Sequence, residues 1–190
     1  MRRKSFTLIE LIVVIAIIGV LASILLPNIV GVIDKAKAAK AISTANILST
    51  ACDSYYMDTG QYAIEYATPW YKGATYHRLS FDPGINGWNG PYLKSPLSAG
   101  DNPWRNRVWM YNRTSGWESS EGGNGFDLDG DGTAETTASG NDVVFYAVPS
   151  SVAQLINNQV DGTNESSWQG QGKFEYRNNY YGCFYLTGGR

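Results

Sequence analysis

The sequence predicts an α+β protein, one long N-terminal α-helix packed against a small antiparallel β-sheet head. Three observations predict it. An apolar run from Phe6 to Leu26 passes into a stretch whose apolar residues recur every three or four positions as far as Asp58. Three short β-prone runs follow, Val108–Tyr111, Val143–Val148 and Tyr180–Leu186, separated by Gly and Pro clusters that read as turns. The 190 residues include 21 Gly, 7 Pro and 13% aromatics, which fits a loop-rich, aromatic-packed head. Hydrophobic residues at 43% with a net charge of −2 exclude intrinsic disorder. The lack of a basic excess argues against nucleic-acid binding.

Residues 1–5, MRRKS, carry three positive charges. Phe6 to Leu26 then spans 21 residues with one charge, Glu10. At 1.5 Å per residue the run reaches about 31 Å, enough for a bilayer core of about 30 Å. The basic leader places the N-terminus in the cytoplasm. A secretory signal peptide has a shorter apolar region of about 7–15 residues and a small-x-small cleavage site. Here Pro27-Asn28-Ile29 leads instead into further helical pattern. A plain membrane anchor explains the length but not Glu10, since a carboxylate in an apolar helix is costly unless it is paired.

The helix continues through 28–59 as an amphipathic half. Ala38, Ala41, Ile42, Ala45, Leu48, Cys52 and Tyr55 form its apolar stripe, and Gly60 reads as its C-terminal cap. Pro27 lacks the amide that would bond the Ser23 carbonyl, and Gly19 is a second weak point, so both mark a candidate helix kink.

Lys4-Ser5-Phe6-Thr7-Leu8-Ile9-Glu10-Leu11 resembles the class III signal of type IV pilins and type II secretion pseudopilins. Ser5 stands where that family usually has Gly. The resemblance implies that a prepilin peptidase cuts between Ser5 and Phe6 and methylates the new Phe6 amine. It implies that Glu10 of an incoming subunit neutralises a neighbour's amine in the filament, and that Gly19 to Pro27 loses helicity there. Domain boundaries follow: a leader at 1–5, a transmembrane or filament-core half at 6–27, the amphipathic half at 28–59 and a head at 60–190.

Two further segments resemble the major pseudopilin G subgroup. Ala51 to Tyr62 matches its A-x-D-x-Y-x-x-D-x-G-x-Y pattern at the helix end. Gly90-Pro91-Tyr92-Leu93 with Asp101-Asn102-Pro103-Trp104-Arg105-Asn106 is similar to its GPYL…DPWGN segment, with an extra Asn102 and Arg105 in place of Gly. The head is longer than usual for the subgroup around 63–90 and 149–190.

Asp127, Asp129 and Asp131, followed by Gly132 and then Glu135, set out the first half of an EF-hand-type loop: D-x-D-x-D-G with a carboxylate at the ninth position. Four carboxylates in nine residues repel one another without a cation. The backbone carbonyl of Thr133 falls at the seventh, ligating position. Ala138 at the twelfth has no side-chain oxygen. The expected ligand is a structural Ca²⁺. The resemblance adds Asp142, because pseudopilin G subunits carry a calcium loop ending just before a final strand.

Cys52 and Cys183 are the only cysteines. An even count in an exported head favours a disulfide between them, against the alternative of two buried thiols. Many pilins instead place both cysteines in the C-terminal part. His77 is the only histidine, which argues against a His-rich zinc site and reads as a packed or surface residue. No nucleophile–base set, P-loop or dinucleotide fingerprint is present, so no enzyme is expected.

The function that the resemblance implies is that of a structural subunit, the major pseudopilin of a type II secretion system. It would sit single-pass in a bacterial inner membrane with its head in the periplasm. There it would polymerise with copies of itself, assisted by an inner-membrane assembly platform and minor pilins or pseudopilins. The alternative is a type IV pilin of surface fibres for adhesion, motility or DNA uptake. A more distant one is a membrane-anchored calcium-dependent binding module.

Overall fold

The computed structural model describes residues 6–67, 70–113, 118–119, 123–136, 139–162 and 168–188; the side chains of 24–30, 118–119 and 123–124 lie outside the description. The leader at 1–5, with Ser5, and the twelfth loop position Ala138 fall outside it. The chain divides into two compact units, Met1–Ala36 and Lys37–Arg190.

In the first unit helix α1 (Leu8–Thr59) begins. Its start is fixed by a reciprocal cap. The Thr7 amide and hydroxyl both donate to the Glu10 carboxylate, at 2.8 and 2.6 Å, and the Glu10 amide donates back to the Thr7 hydroxyl at 3.4 Å. This is a capping box, in which side chains satisfy amides the first turn cannot. The apolar side chains from Phe6 to Leu21 are exposed. α1 is helical without a break through Gly19 and Pro27, so Pro27 does not end the helix. Among the described residues no helix is long and apolar enough to cross a membrane. The described side chains of the apolar run stop at Ser23.

In the second unit α1 runs on to Thr59, and Gly60 takes φ +69° and donates its amide to the Tyr56 carbonyl at 2.8 Å. The helix therefore ends on the residue type that adopts a left-handed backbone at least cost. Ala38, Ala41, Ala45, Leu48, Cys52 and Tyr55 are all buried, as their spacing requires.

Five strands make the main sheet: β1 (Glu65–Tyr66), β2 (Val108–Arg113), β5 (Gly140–Tyr146), β6 (Phe174–Arg177) and β7 (Tyr181–Gly188). Their order is β1-β2-β5-β7-β6, and every neighbouring pair is antiparallel. A two-stranded ribbon pairs β3 (Glu118–Ser119) with β4 (Gly123–Asn124). A second helix, α2 (Ser150–Val160), follows β5 and buries Val152, Ala153 and Ile156. The sequence reading placed no helix there. The run is rich in Ser, Asn and Gln, and its apolar spacing is too short to stand out.

The sheet separates two apolar clusters. On the α1 side lie Val108, Met110, Val143, Phe145, Phe184 and Leu186, packed with Cys52 and with Ile156 of α2. On the other side lie Val144, Tyr146 and Cys183, packed with Phe126. This division overturns the expected disulfide. Successive residues of a strand point to opposite faces. Cys183 therefore faces away from α1, while its neighbour Phe184 faces toward it. No bridge joins Cys52 to Cys183; both are buried, and the Cys52 thiol sits 3.1 Å from the Met110 sulfur. Burial pushes the Cys52 thiol well above the usual range, so it stays protonated. Alkylation under non-reducing conditions should label two thiols per chain after unfolding and neither before it. A chain that gains reactive thiols only after reduction would restore the disulfide.

Candidate metal centre

The loop between β4 and β5 folds back on itself through its own carboxylates. Asp127 accepts the amides of Gly130 and Gly132, at 2.7 and 2.9 Å. Asp129 accepts the Asp131 amide at 3.1 Å, and Asp131 accepts the Thr133 amide at 2.7 Å. Glu135 closes the loop by accepting the Leu128 amide. Gly132, the sixth position, has φ +90°, a conformation that side chains with a Cβ rarely adopt. The carboxylates of Asp127, Asp129, Asp131 and Glu135 each bring one oxygen to within 4.8 Å of all the others.

Those four residues fit a hard divalent cation. The donors are oxygen only, with no imidazole or thiolate among them. Calcium takes six to eight oxygens in flexible geometry, so four carboxylates leave room for carbonyls and water. Asp127 is buried, while Asp129 and Asp131 are exposed, so the group lies at the surface with one anchored wall.

Asp142 does not join them. It lies on β5, 1% exposed, and is held by the Arg113 guanidinium through two hydrogen bonds of 2.9 and 3.1 Å. A carboxylate this deeply buried needs a cationic partner. Arg113 of β2, paired opposite Gly140 of β5, supplies it. The expectation that Asp142 completes the ligand set is corrected accordingly.

The loop is tied instead to β6. The Gly172 amide donates to the Asp127 carbonyl at 2.6 Å, and the Asp127 amide donates to Glu175 at 3.1 Å. Arg177 donates to Glu175 at 2.7 Å and to the Gly125 carbonyl at 2.6 Å, with its guanidinium 4.9 Å from the centre of the Phe126 ring. Burial pushes the Glu175 carboxyl up, and the Arg177 guanidinium beside it pulls it back. Sequence reasoning missed this pair. Its signal was present: two charges alternating with aromatics in Phe174-Glu175-Tyr176-Arg177, inside an otherwise β-prone segment.

Comparison with known proteins matches residues 1–26 to the model of the prokaryotic N-terminal methylation motif. A type II secretion system core protein G from Klebsiella pneumoniae is 35% identical over 115 residues, which is 52% of this chain and 79% of that protein. The chain belongs to the family of type II secretion system core protein G, the major pseudopilins. A core protein G from Pectobacterium carotovorum is 46% identical over 61 residues, covering 32% of this chain and 39% of that protein. A fimbrial protein from Pseudomonas aeruginosa is 39% identical over 67 residues, covering 35% of this chain and 43% of that protein. With several core protein G relatives the alignment thus spans less than half of the relative's length. No solved structure matches.

Within this pseudopilin the residues named from the sequence occupy separate places. Phe6 and Glu10 open α1, with Glu10 inside the capping box, and Gly19 and Pro27 lie further along the same helix. Asp127, Asp129, Asp131 and Glu135 come together, with Thr133 between the last two in sequence. Cys52 and Cys183 stand on opposite sides of the sheet.

Proposed function

We propose that the chain is a structural subunit, the major pseudopilin of a type II secretion system, that polymerises in the periplasm and drives protein export. The observation that carries this reading is the joint match of the N-terminal methylation motif and of 79% of a core protein G at 35% identity. The fimbrial relative matches over a smaller share of its length, so the surface-pilin alternative is not favoured.

On this reading a prepilin peptidase cuts after Ser5, removes three positive charges and methylates the Phe6 amine. The apolar run from Phe6 to Leu26 then holds the subunit in the inner membrane until the assembly platform extracts it. In apolar surroundings the new ammonium and the Glu10 carboxylate each need an opposite charge. Glu10 meets that need when it turns from its own Thr7 to the amine of a neighbouring subunit, which sets axial register. Gly19 and Pro27 mark the stretch where α1 yields to packing in the filament. The carboxylates of Asp127, Asp129, Asp131 and Glu135, with the Thr133 carbonyl, hold a structural Ca²⁺. The ion neutralises the loop and fixes its shape.

Glu10→Ala should leave a processed, membrane-inserted subunit that forms no filaments. Electron microscopy of sheared material, with mass spectrometry of the mature N-terminus, checks both halves. Normal filaments from Glu10→Ala would overturn the register role. A mature protein that keeps Met1–Ser5 would overturn the reading as a whole.

A further inference from the structure

The one histidine of the chain is fastened to a fully buried carboxylate. His77 pairs with Glu65 of β1 as an isolated antiparallel rung, so their side chains leave the backbone on the same side. The rung is closed by the Arg78 amide on the Ile64 carbonyl, at 3.1 Å, and by the Tyr66 amide on the Tyr76 carbonyl, at 3.2 Å. The His77 Nδ1 then lies 2.8 Å from Glu65 Oε1, and Nε2 lies 3.0 Å from the backbone carbonyl of Tyr71.

The protons follow from the partners. A backbone carbonyl only accepts, so Nε2 carries a proton. Glu65 already receives three other donors: the Leu79 amide, the Ser80 hydroxyl and the Leu97 amide, each at 3.2 Å. Amides can only donate, so they favour the ionised carboxylate, and Nδ1 facing it is also protonated. The arrangement is a buried carboxylate–imidazolium pair. Other groups near Glu65 do not compete. From α1 the Cys52 thiol acts on it but is kept neutral by burial. β2 places Met110 opposite it in register, and the segment around Leu97 brings only an amide. Ser80 is uncharged, and Phe81 meets the imidazole edge-on at 6.3 Å. Among the described residues His77 is the one charged group that acts on Glu65.

We propose that Glu65 and His77 form a proton-operated latch, which holds segment 70–81 on the outer edge of β1 while the imidazole is doubly protonated and lets it go in alkali. When one ring proton leaves, a nitrogen lone pair must face an oxygen at 2.8 or 3.0 Å. The Glu65 side cannot give, because three donors from two segments fix the carboxylate. The Tyr71 side gives. Tyr71 packs on Tyr66 and Tyr76, with ring centres 5.4 and 4.6 Å apart, and its neighbour Trp70 is 78% exposed. Release would therefore uncover an aromatic face of Tyr66, Tyr76 and Trp109.

The test uses the full chain in detergent micelles with calcium present. Nitrogen-15 spectra of the imidazole at pH 6 should show both ring nitrogens protonated. Amide exchange in 71–81, corrected for the intrinsic pH dependence, should rise roughly ten-fold as the ring titrates, the scale of one lost hydrogen bond of about 1.4 kcal/mol. His77→Gln should show the raised exchange at every pH. A ring with a single protonated nitrogen at pH 6 would overturn the latch, and so would exchange in 71–81 that ignores pH in the wild type. Both readouts stand on the wild type alone if His77→Gln fails to fold.

Discussion

Excess chelator should lower the melting temperature of the full chain by about 6–16 °C. A cation that binds only the folded state at 100 to 1,000 times its Kd stabilises by about 3–4 kcal/mol. Each kcal/mol moves the melting point of a chain of this size by about 2–4 °C. The effect arises because Asp127, Asp129, Asp131 and Glu135 hold their oxygens within 4.8 Å of one another, and their mutual repulsion is relieved only by a cation. Asp129→Asn and Asp131→Asn keep the oxygens that accept the Asp131 and Thr133 amides but remove charge. They should lower the melting point in calcium and leave it unchanged or higher in chelator. Calcium-loaded and calcium-free chains that melt together would remove the metal centre from the account.

Arg177→Met should cost about 3–5 kcal/mol, because it leaves the Glu175 carboxylate 3% exposed with no cation beside it. It also removes the donor to the Gly125 carbonyl, at the entrance of the metal loop. Urea unfolding followed by circular dichroism should show the midpoint falling with little change in slope. Adding Glu175→Met should recover much of the loss, since removing both members of a buried ion pair costs far less than removing one. If the double variant is as unstable as the single one, the damage comes from the lost Gly125 contact and not from the stranded charge.

The parts of this fold that were legible in the sequence are those where a single period dominates. The stripe from Ala38 to Tyr55 has one apolar face, and its helix ends at the glycine where a left-handed residue was expected. The alternating carboxylates from Asp127 to Glu135 converge because loop geometry is local and Gly132 supplies the turn. Legibility failed where two faces carry similar residues. β5 is buried along its whole length, and β7 alternates Cys183 and Tyr185 with Phe184 and Leu186. Nothing in such a string says which set faces the helix, so the position of Cys183 could not be read. Asp142 failed for a different reason. Its partner Arg113 is 29 residues away in sequence, and only the β2–β5 register brings them together. α2 was hidden by polar residues on a short element whose helical character depends on burying Val152, Ala153 and Ile156.

The two borders of the sheet bear on how copies of this protein can associate. A border strand with bare amides and carbonyls invites another chain to hydrogen-bond alongside it, the route by which sheets grow without limit. Here one border, β1, is two residues long and already met by His77, and the other, β6, has all four of its residues buried. Recruitment through backbone pairing is closed at both sides of the head. Copies must therefore join through side chains, by contacts that a cell can undo without tearing a continuous sheet apart.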